Sequence, residues 1–287
     1  MDNTTPNISS AERVWFITGT SQGFGREIAR AALDDGGAVV ATSRRPDKAG
    51  GEIGGPAERL LVVPLDLTDP QQISAAVDAA LRRFGRIDVL VNNAGHGILG
   101  AVEEASDADV LAVYQINVFG LLRVTRAILP HMRARRSGHI VNLSSIGGLT
   151  GSPGWGIYNS TKFAVEGLSE ALAAELAPLG IRVTIVEPGA FRTNFLGDSL
   201  SVATGSMPDY DATVGATRAY RRDMNGAQDG DPVRGAIAIV DAVKSSNPPL
   251  HLLLGADAYQ RATKKLADLK AQFEAWRDVT LATTFSK

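Results

Sequence analysis

The feature that most constrains this chain is an alternation of elements that starts near its beginning. Residues 14–18 (VWFIT) form a short apolar run broken by Gly19. A helical pattern follows from about Arg26 to Asp35, and then comes a second apolar run, AVVATS, at 38–43. Strand, turn, helix, strand is a βαβ unit, whose two strands run parallel with the helix laid across one face. The unit recurs: LLVVPLD (60–66), DVLVNNA (88–94), HIVNLSS (139–145), RVTIVEP (182–188) and LHLLLGA (250–256) read as further strands. Helical patterns lie between them near 70–84, 106–132, 156–178 and 233–245, several closed by glycine or proline, as at Gly85 and Pro178-Leu179-Gly180. The prediction is an α/β fold with a doubly wound parallel sheet of seven strands.

No linker rich in Pro, Gly or Ser divides the sheet, so 12–256 is read as one domain behind a polar tail at 1–11. Two regions leave the alternation. Residues 195–231 show no stable period, and so long an irregular stretch within a compact domain is read as a substrate lid, mobile until ligand binds. Residues 257–287 are a helical extension, in which Tyr259, Ala262, Leu266, Leu269, Phe273 and Trp276 form a stripe expected to pack on something. With 29 basic and 31 acidic residues there is no cationic excess to grip nucleic acid, and neither is a membrane span or a secretory signal expected. The absence of cysteine removes thiolate metal sites and a cysteine nucleophile and fits a reducing, cytoplasmic setting. The four histidines show no ligand spacing, so no metal is expected.

The first turn reads Thr18-Gly19-Thr20-Ser21-Gln22-Gly23-Phe24-Gly25, between a strand and a helix. Glycines there let backbone approach a pyrophosphate, whose charge the amides and the positive helix end would hold. The second strand ends in Ser43-Arg44 with no acid to accept from an adenosine ribose, and these residues suit a 2′-phosphate; that favours NADP(H). Asp66-Leu67 would lie near adenine and Asn93-Ala94-Gly95 near its ribose, although an Asp after a strand is often a helix cap. Tyr158 and Lys162, four apart at the start of a helix, share one face, where an ammonium would lower the proton affinity of the phenol. Ser145 closes a strand at the carboxyl edge of the sheet, where a hydroxyl can hold a carbonyl oxygen. Asn117 reads either as a holder of a water leading to Lys162 or as a satisfied buried amide.

Taken in order and spacing, TGxxxGxG at 18–25, NNAG at 92–95, Asn117, Ser145, YxxxK at 158–162 and PG at 188–189 followed by Thr193 resemble the short-chain dehydrogenase/reductase family. The resemblance implies a Rossmann-type domain in which Tyr158 donates or accepts the proton, Ser145 orients the carbonyl, Lys162 tunes Tyr158 and Asn117 completes a relay. It implies that Gly19, Gly23 and Gly25 cradle the pyrophosphate, with Pro188, Gly189 and Thr193 bordering the nicotinamide. The expected activity is NADPH-dependent reduction of a ketone or aldehyde. The rivals are alcohol oxidation, an epimerase or dehydratase using the same Tyr and Lys, and a non-catalytic nucleotide sensor. His96, Leu149, Trp155, Phe191 and Phe195, with Met207 and Tyr210 in the lid, suggest an apolar, medium-sized substrate. A homodimer through the helices at 106–132 and 156–178 is expected; the added terminal helix puts a tetramer in doubt.

Overall fold

In chain order the strands are β1 (Val14–Thr18), β2 (Ala38–Ser43), β3 (Leu60–Pro64), β4 (Val89–Asn92), β5 (Gly97–Leu99), β6 (Gly138–Leu143), β7 (Ile181–Pro188), β8 (Leu200–Val202) and β9 (His251–Leu254). The helices are α1 (Gly23–Asp34), α2 (Pro46–Ile53), α3 (Pro70–Phe84), α4 (Asp107–Tyr114), α5 (Leu121–Arg135), α6 (Gly156–Leu176), α7 (Val214–Met224), α8 (Pro232–Lys244), α9 (Ala256–Ala275) and α10 (Arg277–Leu281). This computed structural model describes residues 12–285; the tail predicted at 1–11 lies outside the described residues.

All residues of β1 and β2 are buried, because helices cover both faces of the sheet. Successive side chains of β1 serve opposite cores. Val14 and Phe16 pack with Leu90, Ile140, Ile73 and Val124 on the side of α3 and α5, whereas Trp15 and Ile17 pack with Val91, Ile28, Ile239 and Val240 on the side of α1 and α8. The seven predicted strands form one parallel sheet in the order β3-β2-β1-β4-β6-β7-β9. Strand order reverses between β1 and β4, and the crevice at their carboxyl ends is where such sheets take ligands.

Three features depart from the sequence reading. A short α2 follows β2, despite two glycines within it. The stretch 195–231 carries regular elements: β8 pairs in parallel with β5, and α7 follows. It is tied down by the buried carboxylate of Glu104, which accepts from the main-chain N–H of Ala101 and Met207 and from Arg218, bonds that hold its carboxyl down at about 2. Finally, the stripe of the terminal helix does not pack along its length. Ala258 and Ala262 are buried against Ile146, but α9 then runs past the sheet, leaving Tyr259, Leu266, Phe273 and Trp276 exposed. The run Asp107–Arg135, continuous through a π-helical turn at Gln115–Gly120, is long and apolar enough to cross a membrane; here Val113, Val124, Ile128 and Met132 bury its inner face.

Candidate active site

At the carboxyl end of β1 the chain must turn directly into α1. Gly19 (φ 72°) and Gly23 (φ 58°) adopt the left-handed conformation this requires. A Cβ on Gly25 would lie 2.3 Å from the Gly19 carbonyl oxygen and 2.4 Å from Asn93 Nδ2. Asn93 Nδ2 donates to the carbonyls of Thr18 (2.8 Å) and Gly19 (3.0 Å), and Thr18 Oγ1 accepts from the N–H groups of Asn93 and Ala94. The turn is thus braced from β4. Gln22 precedes α1 without capping it through its side chain, so the first-turn amides face the crevice and fit a pyrophosphate. Ser21, Gln22, Gly23 and Phe24 line that crevice together with Ser43, Arg44, Asp66, Leu67, Asn93, Ala94 and Gly95. Ser43 is buried, its hydroxyl accepting from the Arg45 N–H (3.0 Å), while Arg44 is exposed on the wall. Asp66 does not cap the helix; Asp69 caps α3. The Asp66 carboxyl accepts from Thr68 N–H and Oγ1, which, with the charge of Arg44, hold it below the usual carboxylate range.

Helix α6 sets Tyr158 and Lys162 against the end of β6, both buried. Lys162 Nζ donates to the Leu143 carbonyl (2.7 Å) and stands 5.7 Å from the Tyr158 ring centre. Burial pushes the phenol up to about 12, with the Ser145 hydroxyl opposing, and brings the ammonium down to about 8, with Glu166 opposing. At neutral pH Tyr158 therefore carries its proton. Asn117, in the π-helical turn, donates through Nδ2 to the His96 carbonyl (2.9 Å) and Thr161 Oγ1 (3.1 Å), and accepts from the His96 N–H (3.0 Å). Both amide hydrogens of Asn117 are thus engaged, and its amide oxygen accepts one bond.

Residues 13–201 match the short chain dehydrogenase family. The chain belongs to that family. It is 42% identical over 272 residues to Oxidoreductase BOA17 of Botryotinia fuckeliana, covering 94% of this chain and 99% of that protein. It is 39% identical over 246 residues to a 3-ketodihydrosphingosine reductase of Bacteroides thetaiotaomicron, covering 85% of this chain and 88% of the relative. A short-chain dehydrogenase structure from Streptomyces avermitilis superposes with a TM-score of 0.90 at 42% identity, covering 96% of this chain and all of that one. Family structures with NAD (Burkholderia phymatum, 26% identity, TM-score 0.76, 91% of this chain and 95% of that) and with NADP (Burkholderia cenocepacia, 25%, 0.71, 92% and 97%) share the fold. The protein is accordingly a short-chain oxidoreductase acting between C–OH and C=O, with a site for a nicotinamide dinucleotide.

The cavity of this family member measures about 950 Å³ and runs from the glycine turn past Tyr158 to the first turns of α9. Trp155 and Phe195 frame the phenol: Phe195 lies 5.4 Å from Tyr158, and Trp155 stacks on Phe195 at 6.1 Å. His96, Pro188, Gly189 and Thr193 also line the cavity. Other expected substrate residues lie elsewhere. Leu149 is drawn under α9 by Ile146, Ala258 and Ala262, and Met207 and Tyr210 bond to Glu104 and Glu103 outside the cavity lining, whereas Phe191 does line the cavity, packed on Phe24 (4.9 Å). The sequence reading missed Asp257 and Arg261. Asp257 accepts from the Ala190 N–H (2.9 Å) and abuts Gly189, bracing the turn after β7, while Arg261 lines the cavity mouth and donates to Thr150 and Ser152. An Asp at the first turn of the helix after LHLLLGA was the available signal, but only the fold brings it to Gly189.

Proposed function

We propose that this enzyme reduces a medium-sized, apolar ketone or aldehyde with NADPH. The observation that carries the reading is the buried, protonated phenol of Tyr158, set beside the Ser145 hydroxyl and facing a cavity walled by Trp155 and Phe195. In this reading the Ser145 hydroxyl donates to the carbonyl oxygen and strengthens its bond as negative charge develops. Tyr158 passes its proton to the same oxygen, and the phenolate left behind is stabilised by Lys162. When bound, the nicotinamide supplies the hydride. Asn117 ties His96 to Thr161 beside Lys162. Preference for NADPH is supported by Ser43, Arg44 and the lack of an acid at the end of β2. The name of the Bacteroides relative denotes a keto-group reductase, which favours reduction over alcohol oxidation.

The test is NADPH oxidation across a panel of ketones, aldehydes, steroids and quinones, with Y158F as the blank. Y158F should bind NADPH like the parent and lose about 10²–10⁴ in turnover. Turnover equal to the parent's would overturn the assignment.

A further inference from the structure

Directly behind the catalytic residues lies a group of polar side chains that the reaction above does not use. Glu166 is one helical turn beyond Lys162 on α6, Glu187 is the last residue but one of β7, Ser144 precedes Ser145, and His251 opens β9. Glu166 and Glu187 are buried, with side chains 6% and 1% exposed, whereas His251 reaches the surface. One ligand atom from each of Glu166, Glu187 and His251 lies within 4.8 Å of the others. Both oxygens of Glu166, Glu187 Oε2 and Ser144 Oγ are buried without a hydrogen-bond partner among the described residues. Ser144 Oγ and Glu166 Oε1 crowd the same glycine, a Cβ on Gly148 meeting them at 2.5 and 2.7 Å.

Ionised carboxylates only accept hydrogen bonds, so two of them facing each other in a dry site are costly. One proton relieves the carboxylate pair: Ser144 Oγ stands beside Glu166, Glu166 carries the hydrogen toward Glu187, and His251 Nδ1 meets Glu187 Oε1 at 2.7 Å. A cation held by both of the latter atoms would need each about 2.0–2.2 Å away and hence about 3 Å or more from the other, so the 2.7 Å spacing favours a proton. Burial, reinforced by Glu187, raises Glu166 to about 7 against the pull of Ser144 and His251. Glu187 is raised too, with His251 opposing and Glu170, 3.8 Å from His251 at the surface, adding to the rise. The charged or titratable groups facing the pair are therefore Lys162, Glu170 and His251.

We propose that Glu166 and Glu187 share a single proton and that the one negative charge left on the pair governs, from behind the site, whether Lys162 is an ammonium. Glu166 and Glu187 are then positioning residues for the Tyr158–Lys162 chemistry, and this inference rests on the reductase reading only for its effect on turnover. Either glutamine variant alone, E166Q or E187Q, keeps one charge and one shared hydrogen, because the amide replaces the protonated acid. The double variant removes the charge.

The experiment has two readouts that need no turnover. Infrared difference spectra at pH 7 should show a carboxylic-acid C=O band that shifts in D2O and vanishes in E166Q. Competitive acetylation of Lys162 across pH, read by mass spectrometry, should give titration in either single variant no lower than in the parent. In E166Q/E187Q it should be lower by about one pH unit. E166M/E187M provides a second charge-free pair should the double amide not fold. The basic limb of reductive turnover should move with the Lys162 titration. A protein with no acid band, or with one equivalent of divalent metal on two ionised carboxylates, overturns the shared proton. An unshifted Lys162 in the charge-free pairs overturns the coupling. Loss of all turnover in the parent would refute the reductase reading and leave both of these results standing.

Discussion

A graded set of glycine substitutions puts the cofactor cradle to a quantitative test. In G25A the new methyl meets main chain 2.3 Å away and the Asn93 amide at 2.4 Å, so the turn itself must open by about 1 Å. Overpacking of this kind costs about 1–3 kcal/mol, and displacing Asn93 forfeits two hydrogen bonds of about 1 kcal/mol each, about 3–5 kcal/mol together. Because those bonds aim the first-turn amides at the crevice, we assign at least about 2 kcal/mol to the cofactor, a loss of about 30-fold in NADPH affinity. The remainder should appear as a lower melting temperature without ligand. G23A is the intermediate case: its methyl finds Thr193 at an ordinary 3.5 Å, but a side chain at φ 58° costs about 1–2 kcal/mol. G51A, within α2 and with nothing within 4 Å among the described residues, should stabilise by up to about 1 kcal/mol and leave binding alone. Fluorescence titration with NADPH and thermal melts read all three. G25A binding within threefold of the parent, or G51A losing as much stability as G25A, would refute the reasoning.

Three further outcomes are expected. Arg44→Asp should weaken NADPH about 10–100-fold, the loss of one charge-assisted hydrogen bond, and spare NADH; equal loss for both cofactors would remove the role given to Arg44. His139 is buried between β4 and β7 with Nε2 2.9 Å from Thr184 Oγ1, and burial, helped by Arg182 and Arg13, lowers it from 6.5 to about 4. The unfolded chain thus binds the proton first, so stability falls as pH drops from 6.5 toward 4, by about 2–3 kcal/mol at most. H139Q should flatten that part of the pH–stability curve, and an unchanged slope would assign the loss elsewhere. Leu111, Phe119 and Phe163 are 58%, 41% and 46% exposed on the helices expected to form a homodimer. L111D/F163E should therefore shift light scattering from dimer to monomer, an outcome ruled out if the parent is already monomeric at micromolar concentration.

The reaction class was legible because its determinants are local. The glycine turn joins one strand to the next helix, and Tyr158 and Lys162 share a helix face through four-residue spacing, so neither needs knowledge of the rest of the chain. Apolar runs likewise located all seven sheet strands, since strands covered on both faces carry no polar alternation to confuse them. What failed was non-local. The three-residue strands β5 and β8 are too short for a period and exist only because they find each other across 100 residues. Leu149 and Trp155 look alike as apolar residues in one loop, yet α9 takes Leu149 into a small core and leaves Trp155 to frame the phenol.

The same distinction explains why the substrate is harder to read than the chemistry. Tyr158 and Lys162 are marked by their spacing on one helix, whereas the far end of the cavity is assembled from the loop before α6, from α7 and from the first turns of α9. Asp257 and Arg261 belong to an extension that looks like an appendix in sequence. Its first turns nevertheless hold the turn after β7 and line the cavity mouth, while its last turns stand exposed. On the proposed function, substitutions where the chain departs from the strand–helix alternation should change which carbonyl is accepted before they change how it is reduced.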